Sequence, residues 1–408
     1  MKDKKLINTL CDLVKFKSIT PVDDGIIKYI SDFLSKLGFE NEVKEFSSKK
    51  DVNGKEEVEK VLNLYSSCSF KQGGKNLCFA GHVDVVHPGK EFKWTYPPFE
   101  PTIENGVIYG RGTSDMKGAI AAYITALQEL ICEDGFVPSG TLSLLITGDE
   151  EGSGENGTKK MLQHLANSKI VIDDCIVGEP TNPDFVGQML KNGRRGSITF
   201  FAEIEGKQGH IAYKQNFLNP AYLASQIVLS LKNHIFDAGN EFFDPTNLEI
   251  FKFSCESGST NVVPQSASLG FNIRFCSLQT PQGIIKAVQD IINTAVSHAN
   301  LQLQASGSSF KYSASVTHKT SGEAFLTNPD THLAQSIITA VKDVCGEAPV
   351  LSTSGGTSDA RFIKDYARVV EFGSVNKTAH QIDECENIDG LIKLKNIYKK
   401  FIMLYFDN

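Results

Sequence analysis

The chain has 408 residues, enough for two domains and too many for one simple core. Its residues are 41% hydrophobic and 22% charged, ordinary for a globular protein, and a net charge of -7 gives no electrostatic case for nucleic acid or an anionic membrane. No apolar run approaches the roughly 20 residues of a bilayer span, and the 9 cysteines are scattered and never form C-x-x-C, which points to reduced thiols in a cytoplasmic protein.

The opening "MKDKKLINTLCDLVKF" lacks the apolar centre of a signal peptide and reads as a helix striped by Leu6, Ile7, Leu10, Leu13 and Val14. "GIIKYISDFLSKLGF" predicts a second helix, with Ile26, Ile30, Phe33 and Leu37 inward and Gly38 as its stop. The polar stretch over 47–60 reads as a surface hairpin or loop excursion without chemistry. "KNLCFAGHVDVV" reads as a strand entering a loop, "GAIAAYITALQELI" as an apolar helix, and "TLSLLITG" as a buried strand. Up to about Gly193 this alternation is that of an α/β layer.

The texture changes after Arg195. "GSITFFAEIEG" and "ASLGFNIRF" read as strands, "NPAYLASQIVLSLKNHIF" and "PQGIIKAVQDIINTAVSHANL" as helices, and "LQLQASGSSFKYSASV" as further strand. That is α+β, compatible with four strands carrying two helices. Past about Thr320 the α/β pattern resumes with "HLAQSIITAVKDVCG", "ARVVEFG" and a final helix ending "KKFIMLYF". The expected organisation is a catalytic α/β domain (1-195 and 319-408) interrupted by an inserted domain (196-318).

Five short patterns could carry chemistry. In "FAGHVDVV", His82 and Asp84 point to one face of a strand, so one could bind a metal while the other orients it; a histidine satisfied in the core explains the same pair. Asp115, in "GRGTSDMKGAIAAY", precedes an apolar helix and could be its N-cap. "ITGDEEGSGENG" ends an apolar strand in Asp149, Glu150 and Glu151, which repel one another unless solvent or a cation compensates. "CIVGEP" ends another buried strand in Glu179, and "EFGSVNKTAHQIDE" follows a late strand with His380. Each has an ordinary structural explanation. Together they gather imidazoles and carboxylates at strand ends, where open α/β sheets hold ligands, and that donor mix suits zinc or a related divalent ion.

The same acidic loop also matches G-x-G-x-x-G between a strand and the helix "TKKMLQHLA", the fingerprint of dinucleotide binding. Glu150 and Glu151 lead straight into it and Glu155 lies inside it, opposing the field that would hold a pyrophosphate. The loop is expected to serve a cation. No G-x-S-x-G, H-E-x-x-H or G-K-[ST] pattern is present.

With "GHVDVVHPG", "GRGTSDMKGAIAAY", "TGDEEGSGENG", "VGEP", "RRGSITF", "GKQGHIAY", "STNVVP", "GGTSDARF" and "EFGSVNKTAHQIDE" in this order, nearly the whole chain resembles the zinc aminoacylase and carboxypeptidase family. The resemblance implies a zinc-peptidase-like α/β catalytic domain with an inserted α+β domain for dimerisation. It implies two Zn2+ per subunit, with Co2+ or Mn2+ as substitutes, held by His82 and Glu179, by Glu151 and His380, and by Asp115 between them. Asp84 would support His82, Glu150 would be the general base, and His210 would reach in from the partner of a homodimer. The implied substrate is a small N-acyl amino acid, bound by Arg194, Arg274 and Arg361 with Tyr213, Asn261, Thr357 and Asn376. "RRGS" and "GGTSDARF" favour a succinyl over an acetyl group, whereas His87 and the length of the 47–60 excursion depart from the family pattern.

Overall fold

The computed structural model describes residues 2–52 and 55–407. It divides into two units, one formed by Met1–Gly193, Thr327–Ser352 and Ser358–Asn408, the other by Arg194–Leu326 with Thr353–Thr357.

The first unit is built on an eight-stranded sheet in the spatial order Glu40–Val52, Lys55–Ser69, Thr141–Thr147, Asn76–His82, Asp174–Val177, Arg368–Glu371, Met189–Lys191, Val350–Ser352. The four central strands, from Thr141–Thr147 to Arg368–Glu371, run parallel, so Thr147, His82, Val177 and Glu371 all end at one edge. Asn76–His82 is buried along its whole length, as a parallel strand covered on both faces has to be. The helix Gly118–Gln128 is apolar on every side and buried from Gly118 to Leu127. Lys2–Lys15 and Ile388–Phe406 flank it. Beneath the C-terminal edge, Phe79 stacks on Tyr123 at 4.2 Å and both rings meet the edge of Tyr398. Each ring pair adds about 0.5–1.5 kcal/mol beyond its area burial.

The 47–60 excursion is a hairpin. Glu40–Val52 and Lys55–Ser69 pair antiparallel, yet only Leu64–Ser69 continue into the sheet by pairing with Thr141–Thr147. Cross-strand ion pairs such as Lys60–Glu45 at 2.8 Å lace this part, and residues 53–54 lie outside the described residues.

The second unit is the α+β layer: four antiparallel strands in the order Asn247–Ser254, Ser266–Phe275, Gly196–Glu205, Ser313–Gly322. Alternate residues Ile198, Phe200, Ala202 and Ile204 join Leu269, Phe271 and Ile273 in a core with Leu223, Ile227, Ile284 and Val288 of the helices Pro220–Asn233 and Pro281–Ala305. Asn219 and Thr280 cap those helices, each followed by proline.

One reading needs correction here. "LQLQA" is the last part of the long helix, not strand; Leu301 and Leu303 alternate at strand spacing, but the helix runs on through them and leaves Leu301 exposed, and strand begins only at Ser313. The strand Asn247–Ser254, which completes the four, was not anticipated. The last strand of the sheet, Ser313–Gly322, lies wholly within the second unit. Among the described residues no helix is long and apolar enough to cross a membrane.

Candidate metal centre

The parallel strands deliver their acids and imidazoles to one edge. His82 ends its strand and Asp84 follows; Glu150 and Glu151 follow Thr147; Glu179 follows Val177; His380 lies in the loop beyond Glu371. Asp115 sits in the turn Thr113–Lys117 that opens the buried helix. Met116 anchors that turn by wedging between two strand ends. A Cβ at either Gly81 or Gly178 would lie 2.7 Å from its Cε, and its sulfur accepts from the His82 N–H at 3.4 Å.

Asp115 faces two ways. Its Oδ1 lies 3.1 Å from His82 Nε2 and its Oδ2 lies 3.2 Å from His380 Nε2. His380 Nε2 also meets Glu151 Oε1 at 2.7 Å. Among the described residues, three groups are close enough that each could hold a metal ion: His82–Asp115–Glu179, Asp115–Glu151–His380 and His82–Glu150–Glu151. His380 is held at φ 63, a left-handed conformation uncommon outside glycine that its surroundings have to enforce.

The electrostatics fit a cation. Burial works to lower His82, but the hydrogen bond it donates to Asp115 and the charges of Asp115, Glu179 and Asp84 hold the imidazole well above its ordinary range. Hydrogen bonds to Asp115 and Glu151 push His380 up to about 10. Asp115 is pulled down, against its burial, by His380 and His82. Burial, then the charge of Glu179, drives Glu150 well above the carboxylate range. The cluster therefore collects positive charge on both imidazoles, and oxygen and imidazole donors converging on it suit a divalent ion.

Asp84 is buried and raised to about 6 by that burial. Its carboxylate accepts from the main-chain N–H groups of Glu150 at 3.3 Å and Glu151 at 3.0 Å. His82 Nδ1 meets the main-chain carbonyl of Asp84 at 2.9 Å, while the nearer carboxylate oxygen stands 3.7 Å away. Asp84 thus fixes the direction of the acidic loop as well as facing His82.

Asp149 has a separate task. It accepts from the main-chain N–H groups of Ser153 at 3.0 Å and Asn156 at 2.8 Å, so donors a phosphate would need are engaged by the protein's own carboxylate. The glycine spacing follows from this loop. A Cβ at Gly152 would lie 2.4 Å from Asp149 Oδ1, Gly154 has φ 68, and a Cβ at Gly157 would lie 2.2 Å from Thr147 Oγ1. The dinucleotide-like pattern arises from a loop folded around an internal acid.

A model of peptidase family M20/M25/M40 matches residues 78–404. The chain belongs to that family. The succinyl-diaminopimelate desuccinylase of Wolbachia pipientis subsp. Culex pipiens is 43% identical over 394 residues, 97% of this chain and 92% of that protein. Among solved structures, the aminopeptidase PepT of Bacillus cereus superposes with a TM-score of 0.76 at 20% identity, covering 99% of this chain and 98% of the other. The YXEP protein of Bacillus subtilis, described as a dinuclear metal binding peptidase from the M20 family, gives 0.68 at 14% identity over 100% and 99%. These two share the fold.

The remaining candidates of this M20-family chain divide between the units. In the first, Arg361 lies in the short helix Ala360–Ile363 with its Nη2 2.8 Å from where a Gly154 Cβ would stand, and Asn376 donates its main-chain N–H to the Asn182 carbonyl. In the second, His210 is exposed, its Nδ1 accepts from the Ala212 N–H at 3.1 Å, and its ring lies 5.3 Å from that of Tyr213. The Asn261 carbonyl accepts from Ile211 beside it, and Thr357 is half-buried. Arg194 donates to the Gly356 carbonyl. Arg274 is depressed by burial and by the charges of Arg195 and Arg194, and its Nη1 has no hydrogen-bond partner.

Two residues escaped the sequence reading. Glu384 closes "EFGSVNKTAHQIDE" and is fully buried, bonded to Arg111 and to the Asp115 turn. Asp359, in "GGTSDARF", is buried with one oxygen unpartnered and adds to the charge raising Glu150. For Asp359 the available signal was an acid amid the small residues of a quoted motif; Glu384, beside Ile382 and Asp383, had no such signal.

Proposed function

We propose that this protein is a two-metal amidohydrolase that cleaves N-succinyl-LL-2,6-diaminopimelate to succinate and LL-2,6-diaminopimelate, a step of lysine and diaminopimelate biosynthesis. The name of the relative supports the substrate. The observation that carries the chemistry is Asp115, whose two oxygens meet different histidines.

His82 and Glu179 are the proposed ligands of one ion and Glu151 and His380 of the other, with Asp115 shared; zinc is the proposed metal, and cobalt or manganese suits the same donors. When bound, such a pair supplies Lewis acidity to the amide carbonyl and acidifies water at the site. Glu150 takes a proton from the attacking water and returns it to the departing amine nitrogen. Burial and Glu179 raise its proton affinity, as a base requires, and Asp84 holds its backbone in place. His210, supplied from the partner subunit of a homodimer, donates to the oxyanion that develops on the carbonyl oxygen. Arg194, Arg274 and Arg361 pair with substrate carboxylates, while Tyr213, Asn261, Thr357 and Asn376 contact its two ends.

The test is succinate release by the metal-analysed protein, run beside acetylated amino acids and dipeptides. Preference for the succinyl substrate is expected; faster cleavage of either alternative would overturn the assignment. Sedimentation of the active species checks His210, since an active monomer rules out its delivery from a partner.

A further inference from the structure

We infer that Glu384 is the positioning residue that holds Asp115 and His380 at the separation needed to share one cation. The inference rests on the proposed reading of those two as ligands. Glu384 lies four residues beyond His380 and is fully buried. One of its carboxylate oxygens accepts from the main-chain N–H groups of Ser114 at 2.9 Å and Asp115 at 3.0 Å. The other accepts from Arg111 Nη1 at 2.6 Å, and its main-chain carbonyl accepts from Gly110 at 2.9 Å. A single residue of the His380 segment is therefore bonded to Gly110 and Arg111, which lead into the turn, and to Ser114 and Asp115 within it.

The neighbouring bonds close the same seam. Ser114 Oγ donates to the Val375 carbonyl, and Ser374 Oγ donates to the Ser114 carbonyl. Asp383 accepts from Thr95 N and Oγ1 at 2.7 and 2.8 Å. His380 and Asp383 both sit in the left-handed region, at φ 63 and φ 59, and the seam is what keeps them there. Every polar contact of the Glu384 carboxylate uses it as an acceptor. A glutamine of the same shape has to aim its amide hydrogens at either Arg111 or the two main-chain N–H groups, donor against donor.

The group Asp115–Glu151–His380 takes one residue from each side of this seam, whereas His82–Asp115–Glu179 takes only Asp115. Loosening it is expected to weaken the first group more than the second. The experiment is a Co2+ titration of full-length, chelator-stripped protein, followed by visible absorption, on wild type and Glu384→Gln. Wild type is expected to take two equivalents. In E384Q one equivalent stays within about threefold while the other loses about 10- to 100-fold, the range for residues that orient ligands. Equal loss of both, or loss of neither, overturns the role of Glu384. A wild type that takes fewer than two equivalents overturns the two-cation reading and this inference with it. Should E384Q not fold, Arg111→Met removes one hold on the carboxylate; a smaller loss confined to one equivalent supports the assignment, and equal loss of both or no loss overturns it.

Discussion

Both edges of the parallel sheet bury carboxylates, and they neutralise them differently. At the N-terminal edge Asp174 is fully buried and receives Arg368 through two bonds, Nε at 2.6 Å and Nη2 at 3.0 Å, with the Tyr405 hydroxyl at 2.6 Å. At the C-terminal edge Asp115 and Glu151 face the imidazoles of His82 and His380. A guanidinium stays charged at every working pH and cannot be exchanged, so Asp174 is a fixed structural joint. An imidazole surrenders its proton when a metal arrives. An acid compensated only by titratable partners is available for chemistry.

The largest test of this contrast lies at the C-terminal edge. Glu150→Gln is expected to lower kcat by about 10²- to 10⁴-fold, the usual worth of a general base, while metal content stays near wild type. Steady-state succinate release with metal analysis measures both. Near-normal turnover would remove Glu150 from the mechanism.

Exchangeability predicts a second effect. A cation at about a hundredfold over its dissociation constant stabilises the folded state by about 2.7 kcal/mol. Without cations the imidazoles do that work. His380 is raised from 6.5 to about 10, so its contribution is fully present below about pH 6.5 and is lost as pH rises through about 10. Urea unfolding of the stripped protein should therefore show stability falling from neutral to alkaline pH, and the loaded protein should lack that slope. A parallel slope in both would mean that the cations do not displace these protons.

The contrast also explains what was legible in the sequence. Acids ending apolar strands are local signals, and His82, Asp115, Glu150, Glu151, Glu179 and His380 could all be picked out before any coordinates. Adjacent Asp149 carries the same residue type and yet organises its own loop, because side-chain direction at a turn is not written in spacing. Glu384 was invisible for another reason. Its partners at 111, 114 and 115 are far away in the chain, and only the packing of two loops joins them. In the second unit, the strand Asn247–Ser254 bears Phe251 and Phe253 exposed, so it lacks the clean alternation that marks its neighbours.

At the N-terminal edge the expected effects are on stability alone. Asp174→Asn sets an amide against the Arg368 guanidinium and removes a charge-assisted pair, which costs about 2 kcal/mol. Denaturant unfolding reads the cost, and kcat and metal content of the folded protein should not change. A loss of metal from this variant would show that the two edges are coupled.

The finest discrimination comes from Arg368→Lys, which keeps the charge and abandons the fork. Lysine can place one ammonium near Asp174 but cannot span both oxygens, so the pair loses direction rather than charge. The Arg368 side chain is 51% exposed, so water replaces part of what is lost, and Tyr405 continues to donate to Asp174. The expected cost is about 1 kcal/mol. The same unfolding experiment resolves it when the midpoint shifts at constant slope. If R368K matches wild type, charge alone serves at this edge; if it matches Asp174→Asn, the paired geometry carries the joint and the charge contributes nothing further.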